Sequence, residues 1–398
     1  MKVSKTFCAA PFAHMYVHKN EDIRMCCVTT ENEMASPSTE IDLEKRWKSN
    51  YYKNIRQQFL DGEEPDICSK CFAIEKHNGR SDRMNFNDRY SLRLKPNVET
   101  GNQYGSPIDL DIRPGNLCNL KCRMCGSEAS SQFEKERLQY KELFGDIRPK
   151  VYQPDGVFSE KNIDFLLKNA DKGDHIKFLG GEPTIMPEVS DILDNLIEND
   201  KSHIKISITT NCTNTIKSFT DKLNKFSNLS FNYSVDGTDK VVEYIRNPVK
   251  FKTIEKNMKL YHKMATCRDN ISFSFQAYNL FNLYDTIKWA ADLGVRVIPF
   301  QVEYPQWCSV LSVPKKIRDA ELDRTKQLML NDDKYAKWIT HPLSNIIPAI
   351  DRILEDDREY PVKNLAEMTW KFDTARNQHI KDFIPEVWKI VKEEYESI

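Results

Sequence analysis

Three cysteines crowd into the run NLCNLKCRMCG, at Cys118, Cys122 and Cys125. Thiolates at this spacing hold zinc or iron–sulfur centres, and closed sites of either kind use four protein ligands. Here no histidine or fourth cysteine follows nearby. A [4Fe–4S] cluster held by three thiolates keeps one iron open to the nitrogen and oxygen atoms of a bound molecule. A structural zinc ion completed by a distant ligand is the other reading. Lys121 and Arg123 flank the cysteines and can offset the negative charge of a thiolate-bound cluster. Pro114, Gly115 and Gly126 let the loop turn tightly around it.

A second group lies upstream. Cys8, Cys26, Cys68 and Cys71 give C-x17-C…C-x2-C, four thiols that would close a site. Cys27 adjoins Cys26, and neighbours in a strand point to opposite faces, so one of the two ligates. Clustered cysteines in a reducing compartment read as metal ligands before disulfides. Both a second [4Fe–4S] cluster and a four-cysteine zinc ion suit them. Cys212, Cys267 and Cys308 stand alone among the eleven cysteines and read as buried apolar residues.

The elements that must position these residues show in the patterning. From about 108 to 305, short β-rich runs alternate with amphipathic ones: IDLDIRP, HIKFLGGEP, IKISITTN, LSFNYSVDG, ISFSFQAYN and VRVIPFQVEY. Strands alternating with helices imply parallel βαβ units. Six strands are two short of a closed eight-fold barrel, so an open, partial (β/α)6 TIM-like barrel is expected, with its chemistry at the C-terminal strand ends. The cysteine loop, GGEP, TTN, SVDG and FQVEYP all fall at such ends. One shared site explains that coincidence better than five separate turns.

Residues 1–72 read as a hairpin turning at Asn20-Glu21-Asp22, then a helix ending near Gly62, with too little core to stand alone. A structural metal would supply the missing stability. Residues 73–107 read as a connecting segment. Residues 314–398 read as a charged helical C-terminal extension broken by Pro342, Pro361 and Pro385. The 398 residues carry a formal net charge of −1, no footprint for wholesale nucleic-acid binding. No apolar run approaches the about 20 residues that span a bilayer, and the N-terminus lacks a signal-peptide core, so a cytoplasmic protein is expected.

CNLKCRMC at the end of a first strand resembles the signature of the radical SAM superfamily. The resemblance implies that Cys118, Cys122 and Cys125 hold a [4Fe–4S] cluster whose open iron chelates S-adenosyl-L-methionine. One electron would then cleave the cofactor to a 5′-deoxyadenosyl radical, which takes a hydrogen atom from substrate. Met124 stands where many members carry an aromatic residue against the adenine. Gly180, Gly181 and Glu182 resemble the family's glycine motif, with Glu182 toward the cofactor's ammonium. Thr210 and Asn211 resemble its next polar strand end. SVDGTDKVVEYIR is similar to the peptide-modifying branch, which implies that Ser234 and Arg246 meet the ribose and methionyl carboxylate and that Asp236 shapes the turn.

FCAAPF, IRMCC and NIRQQFLDGEEPDICSKC resemble the Twitch form of the SPASM module. That likeness implies an auxiliary [4Fe–4S] cluster on Cys8, Cys26, Cys68 and Cys71, Cys26 being preferred over Cys27. Such modules often follow the barrel; this one precedes it. The domains expected are therefore 1–72, an auxiliary-cluster domain; 73–107, the connection; 108–313, the partial barrel; and 314–398, the extension. A reductant such as flavodoxin or ferredoxin and a peptide or small-molecule substrate are the partners implied. Period two puts Ser272, Ser274, Gln276 and Tyr278 on one face and Gln301 and Glu303 on another. Gln276 and Glu303 are the candidate catalytic residues, able to hydrogen-bond substrate or move a proton. The alternative is a zinc-stapled binding or scaffold protein without catalysis.

Overall fold

The computed structural model describes residues 4–19, 23–29, 42–99, 106–147, 157–168, 175–341 and 344–398, without the side chains of 91–93 and 95–99. These form two compact units, one drawn from 1–115, 151–209 and 216–230, the other from 116–150, 210–215 and 231–398. The fold is α/β, and all six strands expected from the sequence are present.

In the first unit the strands are β1 (His14–His18), β2 (Ile23–Arg24), β3 (Asp109–Arg113), β4 (His175–Phe178) and β5 (Lys205–Thr210), in the order β2-β1-β3-β4-β5. Only the β1–β2 pair is antiparallel. Register aligns Met15 with Leu110, Ile176 and Ile206, and Val17 with Ile112, Phe178 and Ile208. These rows share one face and are buried throughout. Each such side chain contributes about 1.5–3 kcal/mol. The alternate rows, His14–Asp109–His175–Lys205 and Tyr16–Asp111–Lys177–Ser207, are polar.

Asp109 anchors the polar face. Its carboxylate accepts from Tyr90 Oη at 2.7 Å and Arg89 Nη1 at 3.0 Å and lies 3.1 Å from His175 Nδ1. His175 Nε2 in turn lies 2.7 Å from Ser207 Oγ. A buried carboxylate is tolerable only when so satisfied.

The N-terminal segment finds its core in this sheet. β1 pairs with β3 along its whole length, so the hairpin is not free-standing. The Asn50–Asp61 helix starts where Ser49 accepts from the Tyr52 N–H and stops at Gly62, in the left-handed region at φ +84°. It buries Tyr52, Ile55, Arg56 and Phe59. The supposed connection at 73–107 is instead largely helical, over Ser69–Lys76 and Asp82–Glu99. Pro96 lies inside the second helix, a position where proline is seldom tolerated. The expected turn at Asn20-Glu21-Asp22 lies outside the described residues.

The second unit carries the end of β6 (Asn228–Ser234) with β7 (Asn270–Phe275) and β8 (Arg296–Gln301), paired in parallel. β7 buries Ile271, Phe273 and Phe275 and leaves Asn270, Ser272 and Ser274 partly open. The extension is helical as expected, with Pro361 capping Val362–Arg376 and Pro385 opening Pro385–Glu396. Pro342 is outside the described residues. Among the described residues no helix is long and apolar enough to cross a membrane.

Replacing Asp109 with Asn strips the charge from a network that holds β1, β3 and β4 to the Asp82–Glu99 helix. The expected loss is about 3–5 kcal/mol, read as a lower urea midpoint for the metal-free chain.

Candidate functional site

The cysteine loop is held from several sides within the second unit. Ser131 Oγ meets the Cys118 N–H at 3.2 Å, and Ser130 Oγ donates to Leu120 O at 2.5 Å. Two backbone bonds dock the loop on the segment after β6: Lys121 N–H to Asn247 O at 2.7 Å, and Arg123 N–H to Ile245 O at 2.9 Å. That ladder places Arg246 beside Cys122. Its Nη1 is 3.8 Å from Cys122 Sγ, and its Nε makes a 2.7 Å ion pair with Asp236. Asn211 Nδ2 reaches 4.0 Å from Cys118 Sγ and donates to Asn119 Oδ1 at 2.9 Å. Cys122 is the more acidic of its pair with Cys125. The Cys125 thiol bonds to it and lowers its pKa, burial opposes this, and Arg246 lowers it further.

One expectation needs correction. Lys121 and Arg123 do not stand free to offset charge: Lys121 pairs with Glu136 at 2.6 Å and Arg123 with Asp373 at 2.7 Å. Arg246 is already paired with Asp236, whose other oxygen accepts the Ser274 N–H at 2.7 Å. Sequence reading missed Asn279, which donates to Asp236 O and Ser274 O and so locks the β6 and β7 ends together. It also missed Asp373 and Arg376. Arg376 Nη2 donates to Lys121 O and Glu136, each at 2.7 Å. More than 200 residues separate these partners, and no local pattern could reveal them.

The remaining candidates in this unit are scattered in character. Met124 is half-buried in the loop. Thr210 Oγ1 accepts the Cys212 N–H at 3.1 Å. Ser234 ends β6 opposite Ser272. Gln276 is fully buried, and its Nε2 donates to Ser274 O at 3.2 Å. Glu303 is exposed, two residues past the end of β8. Tyr278 leaves the strand face for a short helical turn, where its hydroxyl meets Thr369 Oγ1 at 2.9 Å. Cys308 is buried behind the loop, donating to Arg123 O, and Cys212 is also buried; Cys267 is half-exposed, against expectation.

In the first unit Gly180 has φ +123°, and an added Cβ would stand 2.8 Å from Gly115 O. Gly181 N–H donates to that same oxygen at 3.1 Å. Glu182 is fully buried, with Oε1 accepting from Thr184 Oγ1 at 2.6 Å.

Cys8, Cys26, Cys68 and Cys71 line one small cavity of about 20 Å³ in the first unit, walled by Phe59 and Phe86. Cys26 and Cys27 do not alternate along a strand. β2 has ended at Arg24, and in the turn that follows the two free thiols hydrogen-bond each other. Backbone N–H groups reach three of the four sulfurs: Ala10 to Cys8, Val28 to Cys26 and Arg83 to Cys71. Burial pushes the Cys68 thiol up to about 12 and the Cys71 thiol to about 11. Such thiols ionise when a metal replaces the proton, and the N–H donors suit the resulting thiolates. Arg83 and Asn87, from the segment read as a connection, hold Phe7 O at 2.8 and 2.7 Å and so fix the chain beside Cys8. Among the described residues no three His, Cys, Asp or Glu side chains converge as a single-ion site.

Two substitutions test this geometry. Gly180→Ala forces a side chain into a left-handed position against Gly115 O and is expected to cost about 1–3 kcal/mol in thermal melts. Asp236→Asn leaves a buried guanidinium unpaired, at a cost of about 3–5 kcal/mol; an unchanged melt would show that the pair carries no weight.

Residues 112–273 match the family model described as Radical SAM superfamily. No curated protein matches the chain in sequence. Among solved structures, SuiB of Streptococcus suis bound to S-adenosylmethionine is 17% identical, with a TM-score of 0.42 over 76% of this chain and 61% of that one. AnSMEcpe with bound AdoMet is 18% identical, with a TM-score of 0.41 over 57% and 61%. The methyltransferase TsrM of Kitasatospora setae, with cobalamin and a [4Fe–4S] cluster, is 9% identical, with a TM-score of 0.35 over 49% and 34%. The chain thus spans about three-fifths of the first two. The segment that matches the family model runs from the end of β3 to the middle of β7 and contains the three-cysteine loop.

Proposed function

We propose that this protein is a radical SAM enzyme with a catalytic [4Fe–4S] cluster on Cys118, Cys122 and Cys125 and a second, closed cluster on Cys8, Cys26, Cys68 and Cys71. The observation that carries it is the convergence on the thiols of residues from separate strand ends: Asn211 after β5 and Arg246, held by Asp236, after β6. When bound, cluster and S-adenosyl-L-methionine supply one-electron cleavage of the sulfonium to a 5′-deoxyadenosyl radical. The protein's part is orientation and exclusion of water. Arg246 sets a positive charge against Cys122. The glycine at 180 keeps side chains away from the backbone at Gly115, and Glu182 offers a carboxylate for the cofactor's ammonium. Met124 supplies an adaptable apolar surface for the adenine.

In this reading residues 1–72 are the auxiliary-cluster segment, 108–313 the catalytic barrel and 314–398 an extension that braces it. The closed cluster suits an electron relay, since four thiolates leave no iron open. The reductant is of the flavodoxin or ferredoxin kind, in the cytoplasm, where thiols stay reduced. A peptide is the substrate that the SVDGTDKVVEYIR resemblance supports, with Gln276 and Glu303 as candidate substrate-side groups.

The test is anaerobic reconstitution with iron and sulfide, then dithionite and S-adenosyl-L-methionine. Replacing Cys118, Cys122 and Cys125 by Ala is expected to abolish 5′-deoxyadenosine while about half the iron remains. Cys26→Ala is expected to lose the iron of the N-terminal site, and Cys27→Ala to keep it. A colourless wild-type protein holding zinc and forming no 5′-deoxyadenosine would establish the stapled scaffold instead.

A further inference from the structure

Among the described residues, four cations stand in or beside the three-cysteine loop: Lys121, Arg123, Arg246 and Arg376. Three carboxylates answer them, Asp373 to Arg123, Asp236 to Arg246, and Glu136 to both Lys121 and Arg376. Lys121 and Arg376 thus share a single carboxylate, Glu136, among the described ion pairs. Arg376 is the buried member, its side chain 1% exposed against 25% for Lys121. Its Nε and Nη2 grip Glu136, and Nη2 also binds the carbonyl of Lys121, the residue before Cys122. Its Nη1 is buried and has no hydrogen-bond partner among the described residues. An orphaned buried guanidinium N–H is costly unless something takes it, and Arg376 and Cys122 already interact electrostatically.

We propose that Arg376, from the C-terminal Val362–Arg376 helix, is a positioning residue of the three-cysteine cluster that raises its reduction potential. The inference rests on the reading of that loop as a cluster site. Reduction adds one electron to the cluster and moves no proton, so the reduced form carries more negative charge. A nearby cation that shares its carboxylate with a second cation, and a buried N–H donor left without a partner, favour that form. Glu136 sets how much of the charge is felt. The extension thereby tunes how readily the cluster accepts its electron, beyond holding the loop in place.

The experiment is a dithionite redox titration of the reconstituted full-length protein, following the reduced-cluster EPR signal that changes when S-adenosyl-L-methionine is added. Arg376→Met is expected to lower the reduced-to-oxidised ratio at fixed applied potential by about tenfold, a shift of about 59 mV. Arg376→Lys keeps the charge and is expected to stay near wild type. Glu136→Gln keeps the shape, removes a negative charge and is expected to move the potential upward. If Arg376→Met fails to hold the cluster, the upward shift of Glu136→Gln and the near-native value of Arg376→Lys still decide the matter. A cluster whose potential ignores Glu136→Gln, or falls as far with Lys as with Met, overturns the inference and leaves the enzyme reading standing. A wild-type protein with no such signal removes the enzyme reading itself.

Discussion

The Arg123–Asp373 ion pair is entirely shut off from water, at 0% and 1% side-chain exposure. Neither charge would be stable there alone, and loss of either partner leaves the other stranded at a cost of about 3–5 kcal/mol. The pair is kept by what surrounds it. Arg123 lies 3.5 Å over the Tyr244 ring and donates to Tyr244 O. Asp373 accepts from the Tyr244 and Tyr395 hydroxyls and from the Ile380 N–H. Since Arg123 sits between Cys122 and Cys125, this one contact fixes the middle of the loop. The backbone bonds to Ile245 and Asn247, and through them the place of Arg246, depend on the loop staying there.

The two thiol groups sit in different electrostatic settings. The N-terminal four line a mostly apolar cavity with one guanidinium, Arg83, beside them; backbone N–H groups meet three of them, and burial discourages ionisation. The loop thiols stand among paired charges, with guanidinium groups close by. An apolar, four-thiol enclosure suits a group that is sealed and passes electrons. A charged loop with three thiols suits a group that must accept an electron and bind a polar molecule.

Much of this was legible in the sequence because it is local. Period-two runs ending in polar turns located all six expected strands, and cysteine spacing located both thiol groups. What stayed hidden was either non-local or masked by a local rule. Nothing near Arg123 announces Asp373, 250 residues away. The segment read as a connection holds the helix that carries Arg83, Asn87 and Tyr90. Cys26 and Cys27 were read as alternating strand residues, but the strand stops at Arg24, and in a turn neighbouring side chains can share a side. Gln276 and Glu303 followed from strand periodicity extended past strand ends, where that periodicity lapses: one lies buried and the other in the open.

The long reach of the brace has a bearing on biosynthesis. During translation the cysteine loop emerges about 250 residues before Asp373 and Arg376 do. At about 5–20 residues per second, the nascent loop spends roughly 12–50 s with its thiols made but its clamp still unsynthesised. Throughout that interval Arg123 has no carboxylate to bury against and Lys121 O no guanidinium to receive. The loop is among the first chemically committed parts of its unit to be made and among the last to be set. Iron and sulfide delivered after chain release would therefore meet a finished loop, whereas delivery during synthesis would meet an open one.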